Sequence, residues 1–169
     1  MPPSDTPIVT IRPATPADLP ALGRLGALLV RMHHDFDPQR FIAAPTGIEQ
    51  GYAAFLGTQL EKPNVIIVVA EQNGEVVGYT YARIEGQDYM ALRGRAGMLH
   101  DIVVDPAQRG HGVGWALLDA TLVALKARGA PRVVLSTAEE NEAAQRLFTR
   151  AGFRRTMVEM TRELDDGGA

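Results

Sequence analysis

A chain of 169 residues with 46% hydrophobic and 22% charged side chains has the size and composition of one globular domain, and neither value points to disorder or to a membrane protein. The formal net charge of -3 argues against a general nucleic-acid binder, which needs clustered Lys and Arg to displace counterions from phosphates. With no cysteine there is no disulfide, no thiolate metal site and no covalent cysteine intermediate.

Residues 1–7 combine prolines with an aspartate where a secretory leader needs a basic start and an apolar stretch, so a flexible N-terminus is expected and no leader. The run 65–70 falls far short of the roughly 20 apolar residues that span a bilayer, so no membrane partner is expected and a cytoplasmic location fits. Residues 8–11 form a short β-branched strand closed by Arg12-Pro13. Thr15-Pro16 then reads as an N-cap followed by proline in the first helical turn. Leu19, Leu22, Leu25, Leu28 and Leu29 recur at spacings of three and four along one face of that helix, which should end near His33 or His34.

Residues 35–45 hold two prolines and two aspartates and predict a loop. A second amphipathic helix over 46–60 buries Ile48, Tyr52, Phe55 and Leu56. Two β-rich runs, 65–71 and 76–84, flank an Asn73-Gly74 hairpin turn. A polar loop carrying Arg93 and Arg95 follows over 86–97, where solvated arginines are the plainer reading than recognition of an acidic substrate. Next come a strand at 98–104, a helix over 112–127 stopped by Arg128-Gly129, a strand at 132–137, a helix at 141–151 ended by Gly152, and a last strand at 156–164. Residues 165–169 are expected to be a disordered tail. The order describes one α+β domain over 8–164, a mixed sheet with helices on its faces.

Gln108-Arg109-Gly110-His111-Gly112-Val113-Gly114 lies between a strand and a helix, so its backbone N–H groups converge with the helix N-terminus on one anion site. Glycines at 110, 112 and 114 clear side chains from the path of a diphosphate. No Lys-Ser or Lys-Thr follows, which disfavours a nucleoside-triphosphate loop, and Gly110-x-Gly112-x-Gly114 has the wrong spacing for a dinucleotide fingerprint.

Arg109-x-x-Gly112-x-Gly114 after Asp105-Pro106 resembles the acetyl-CoA signature of the GNAT N-acetyltransferase superfamily, and Asn141-x-x-Ala144-x-x-Leu147-Phe148-x-x-x-Gly152-Phe153 resembles its next motif. The resemblance implies a mixed central sheet of about six to seven strands flanked by helices, with a splayed V between the fourth and fifth strands. It implies acetyl-CoA as co-substrate and an amine as acceptor, with no metal. The residues it points to for the coenzyme are Arg109, Gly110, His111, Gly112, Val113, Gly114 and Trp115 at the pyrophosphate, Ile102, Val103 and Val104 along the pantetheine arm, and Asn141 and Phe148 beside it. Many family members carry a tyrosine at the Phe148 position as proton donor to the leaving thiolate, and phenylalanine cannot donate one. A coenzyme-binding regulatory module with little or no turnover is therefore the rival reading.

An attacking amine must lose a proton, and His100 and Asp101 lie near the strand end, with Glu139 and Glu140 in reserve. Strict alternation puts His100, Ile102 and Val104 on one face and Asp101 and Val103 on the other, so only one of the first pair reaches the cleft unless a bulge intervenes. His100 is favoured as the base. The absence of cysteine favours direct attack in a ternary complex. His33, His34, Asp35, Asp37 and Phe41 are the candidate acceptor contacts, with Tyr81 and Tyr89 as further ones. His33-His34-Asp35-x-Asp37 is a poor metal set, because adjacent histidines on a helix diverge. A homodimer is left open.

Overall fold

The computed structural model describes residues 8–164, so the N-terminus 1–7 and the tail 165–169 lie outside the described residues. The elements in order are β1 (Val9–Pro13), α1 (Leu19–Phe36), α2 (Ile48–Gly57), β2 (Val65–Gln72), β3 (Glu75–Glu85), β4 (Ala96–Val104), α3 (Val113–Ala127), β5 (Val133–Leu135) and α4 (Glu142–Arg150), with short 3-10 turns at Pro16–Asp18 and Pro106–Gln108. The sheet runs β1-β2-β3-β4-β5, antiparallel through β4 and parallel between β4 and β5.

β2 is apolar from Val65 to Ala70 because both its faces are covered. Ile66, Val68 and Ala70 pack with Leu117, Leu118 and Leu125 of α3, while Val65, Ile67 and Val69 pack with Leu22 and Leu25 of α1 and Leu56 of α2. The hairpin closes as expected: Asn73 and Gly74 both have positive φ, 52° and 79°, the twist that a two-residue turn between paired strands requires. A Cβ at Gly26 of α1 would overlap the Tyr52 ring. Its absence lets α2 settle on α1 and aims the tyrosine hydroxyl at the sheet.

Two helix boundaries differ from the sequence expectation. α1 continues to Phe36, because the Asp37 amide still donates to the His33 carbonyl and His34 Nδ1 bonds the Phe41 carbonyl, tying the loop under the helix end. α2 starts at Ile48 after Gly47, whose φ of 79° is incompatible with the helix.

The larger correction concerns strand count. Among the described residues five strands form rather than six or seven, and residues 156–164, expected as the last strand, join no sheet. The local β pattern is present there, but no neighbouring strand among the described residues supplies the ladder.

The opening between the fourth and fifth strands is present. β4 pairs with β5 only from Gly97↔Val133 to Leu99↔Leu135, then runs on to Val104 with no partner on that side among the described residues.

Candidate active site

Where β4 and β5 separate, a cavity of about 260 Å³ opens. Leu29, Val30 and His33 of α1 and Phe41 and Ile42 of the following loop form one wall. His100 and Ile102 of β4 form its floor, and Ser136, Thr137, Asn141, Ala144 and Phe148 form the far wall.

The floor is shaped by a β-bulge. Tyr81 of β3 pairs with Asp101 and Ala82 with Leu99, so His100 is an extra residue on β4. Leu99 packs on the α3 side, Val103 on the α1/α2 side, and Ile102 and Val104 against the α3 side again. Strict alternation from Leu99 would turn Asp101 toward α3. The bulge turns both Asp101 and His100 toward α1 and α2: the first meets Tyr52 and Tyr79, the second stacks on Tyr81 with ring centroids 5.3 Å apart. The expected division of the two residues between opposite faces therefore does not occur.

Their environments still separate them. The His100 side chain is 36% exposed and lines the cavity, and its Nε2 lies 2.9 Å from Glu85 Oε1. Burial would raise the Glu85 carboxyl, but hydrogen bonds from Arg83 and His100 outweigh it and hold it below the ordinary glutamate value. An ionised Glu85 takes the Nε2 proton as a hydrogen bond, which leaves the lone pair of the neutral imidazole on Nδ1.

Asp101 is 8% exposed, and its Oδ2 accepts from Tyr52 Oη at 2.9 Å and Tyr79 Oη at 2.8 Å. Burial raises its carboxyl above the usual aspartate range despite those two bonds, and burial followed by the nearby Asp101 charge raises both tyrosines. A group with a raised folded-state pKa adds stability at low pH and loses it as pH climbs through the folded value. The stability of the protein should thus fall as pH rises from the ordinary aspartate range toward the raised value of Asp101, and Asp101→Asn should abolish that fall in denaturant titrations. Asp101→Ala should cost roughly 1–3 kcal/mol, because the fully buried Tyr79 hydroxyl loses its acceptor.

At the end of β4 the chain turns through Gly110 and Gly112, with φ of 80° and 81°, into α3. The N-terminus of α3 has no side-chain cap, and its first amides have no partner within the helix. Arg109 folds back, Nε donating to the Val104 carbonyl at 3.3 Å. The Val113 side chain is core at 2% exposed, so only its amide is available to a ligand, and His111 projects outward. Trp115 lies under the Arg150 guanidinium at 4.7 Å. Val103 is buried against α1 and α2, while Gly114 lies beside Leu147 and Val104. Asn141 caps α4, its Oδ1 accepting from the Ala144 amide at 3.2 Å, and Phe148 is 6% exposed with its ring edge-on to Phe153.

Of the residues singled out for the acceptor, His33 and Phe41 border the cavity. His34 is bonded to the Phe41 carbonyl, and Asp37 Oδ1 accepts from the Gln39 and Arg40 amides. Tyr81 is 5% exposed beneath His100, and Tyr89 is 75% exposed outside the cavity. Sequence reasoning missed Glu85, Tyr52 and Tyr79 as partners of the two β4 residues. It also missed Leu29 and Val30 of α1 as cavity residues, where the spacing of four between Leu29 and His33 was the available signal.

The sequence matches the model of the acetyltransferase (GNAT) family over residues 29–153. A mycothiol acetyltransferase of Thermobispora bispora is 38% identical over 92 residues, which are 54% of this chain and 31% of that protein. The uncharacterized N-acetyltransferase YhfO of Bacillus subtilis is 33% identical over 104 residues, 62% of this chain and 68% of that protein. The match spans under a third of the length of the mycothiol acetyltransferases of Thermobispora bispora and Amycolatopsis mediterranei. Among solved structures, the aminoglycoside N-acetyltransferase AAC(6')-Iy in complex with CoA has a TM-score of 0.70 at 20% identity, covering 97% of this chain and 99% of that one. A predicted acetyltransferase of Clostridium acetobutylicum, solved with acetyl-CoA, has a TM-score of 0.70 at 18% identity, covering 93% and 97%. The family match begins at Leu29 on the cavity wall, runs through the bulged strand and the glycine turn, and ends at Phe153 against Phe148; the chain belongs to the GNAT acetyltransferase family.

Proposed function

We propose that the protein transfers an acetyl group from acetyl-CoA to a primary amine by direct attack. The observation that carries the reading is one continuous path: an uncapped helix N-terminus at Val113, the unpaired edge of β4 from Val104 back to Ile102, and a cavity with His100 in its floor. From Val104 to His100 is four strand residues, about 13 Å, which suits an extended pantetheine arm. The diphosphate meets the α3 amides at one end, and the thioester reaches His100 at the other.

The amine nitrogen attacks the thioester carbonyl carbon, a C–N bond forms and the C–S bond breaks. His100 Nδ1 takes the amine proton while Glu85 holds the ring through Nε2. Free N–H groups on the β4 edge polarise the carbonyl oxygen. Phe148 offers no proton, so coenzyme A departs as a thiolate, which a thiol pKa of about 8.5 permits. The acceptor wall formed by Leu29, Val30, Phe41 and Ile42 is apolar, and no carboxylate is among the lining residues. This favours an amine borne on an apolar body over a polycation held by charge.

Phe148 also supports the second reading, a coenzyme-binding module without turnover. Acetyl-CoA at saturation should raise the melting temperature, since a ligand that binds only the native state stabilises it, and an aryl-alkyl amine should stimulate thiol release. An unchanged melt sinks both readings. A raised melt with no amine-stimulated thiol release across amines, amino acids and peptides leaves the module.

A further inference from the structure

Arg93 reads from the sequence as a solvated arginine of the 86–97 loop, yet its side chain is only 11% exposed. Its guanidinium is pinned on three acceptors. Nη2 donates to Glu85 Oε2 at 3.1 Å, and Nη1 donates to the Gly94 and Gly86 carbonyls at 3.0 and 3.4 Å. Arg95 instead donates to the Gly129 carbonyl.

The loop is built around that inward turn. Asp88 and Arg93 exchange backbone hydrogen bonds at 2.8 and 2.9 Å, and Asp88 Oδ1 accepts from the Met90 and Ala91 amides. Leu92 completes the turn at φ of 51°, a left-handed backbone that leucine adopts only at a cost, while its own side chain is 92% exposed. Leu92 gains no packing from that conformation. The residue that gains a buried place is the next one, Arg93.

Glu85 therefore holds two arginines as well as the histidine. Its Oε1 accepts from Arg83 Nε at 2.7 Å and lies 2.9 Å from His100 Nε2, while its Oε2 takes Arg93. The other groups about the imidazole are the Tyr81 ring stacked on it, Asp101 beside it on β4 with its carboxyl on Tyr52 and Tyr79, and His33 of α1 in the wall of the same cavity. A carboxylate alone beside an imidazole favours the imidazolium, which has no lone pair for an amine proton. Two guanidinium charges on the same carboxylate oppose that bias, because they leave the cluster net positive before His100 gains a charge. Arg93 is the less screened of the two, since Arg83 is 40% exposed.

We propose that Arg93, with Arg83, is a positioning residue acting through Glu85: the carboxylate fixes the His100 ring, and the two guanidinium groups keep that ring in the neutral form that can accept a proton. The consequence for turnover rests on the acetyl-transfer reading. The charge state of His100 does not.

The test follows the His100 Cε1–H signal of the full chain by NMR across pH, identified among the four histidines by its absence from His100→Ala. Arg93→Met should raise the pH at which that signal titrates by about one unit, and Glu85→Gln should lower it. Arg93→Lys, which keeps the charge, should stay near the unmodified protein. In amine-dependent thiol release, Arg93→Met should move the acid limb of kcat/KM upward by the same amount, about a tenfold loss at any pH on that limb, with the alkaline plateau retained. A titration in Arg93→Met that is unmoved or lower overturns the proposal. So does a shift in Arg93→Lys as large as that in Arg93→Met, the mark of a merely structural role. Should Arg93→Met fail to fold, Arg83→Gln should raise the titration in its place, and an unmoved signal there overturns the proposal. If no amine stimulates thiol release, the transfer reading fails while the NMR titration still decides the charge state.

Discussion

His100→Ala should lower amine-dependent thiol release at neutral pH by about 100- to 10,000-fold, the range a positioned general base contributes, while the melting shift given by acetyl-CoA persists. The side chain is more than a third exposed and occupies a bulge, so its loss opens no cavity in either core. The lost rate should return in part as pH rises, because more of the acceptor amine is then neutral before it binds. Glu85→Gln tests the same assignment differently. It replaces the charged acceptor of the Nε2 proton with a neutral amide that can accept or donate there, and should change the pH profile of kcat/KM with little effect on coenzyme affinity. Full turnover of His100→Ala across neutral pH would move the base elsewhere.

What the sequence made legible here was local. Asn73-Gly74 needs only its own backbone preferences to announce a turn, and the glycines from 110 to 114 announce a backbone shape that few other residues tolerate. Leu22 and Leu25 follow from periodicity alone. The bulge at His100 is a different kind of fact. It exists only in the register of β4 against β3, and no pattern within 96–104 reports how Tyr81 and Ala82 are paired.

For the same reason Glu85, fifteen residues before His100, and Tyr52, on another element from Asp101, were invisible as partners. Tyr52 read as core and packs against it, as does the fully buried Tyr79, but their hydroxyls also hold the Asp101 carboxyl. Residues 156–164 show the converse limit. Their strand propensity is written in the sequence, whereas no edge among the described residues takes them up.

Gly112→Val should weaken coenzyme binding by about 100-fold, some 2.7 kcal/mol, with a much smaller loss of stability. The two costs have separate origins. A Cβ at Gly112 meets nothing within 4 Å, so the folded protein pays only for a side chain at φ of 81°, about 1–2 kcal/mol. That is a few degrees of melting temperature in a chain of this size. The open space the side chain would fill lies over the uncapped α3 amides, where the diphosphate must approach.

Gly114 separates binding from packing. It has no positive φ, and its Cβ would lie 3.5 Å from Leu147 Cδ2 and 3.8 Å from Val104 Cγ2, ordinary contacts for a methyl group. Gly114→Ala should therefore fold normally, whereas Gly114→Val crowds Leu147 and should lose stability and coenzyme affinity together. Melting temperature and acetyl-CoA affinity measured across Gly112→Val, Gly114→Ala and Gly114→Val decide the matter. If Gly112→Val binds coenzyme as the unmodified chain does, the α3 N-terminus is not the diphosphate site.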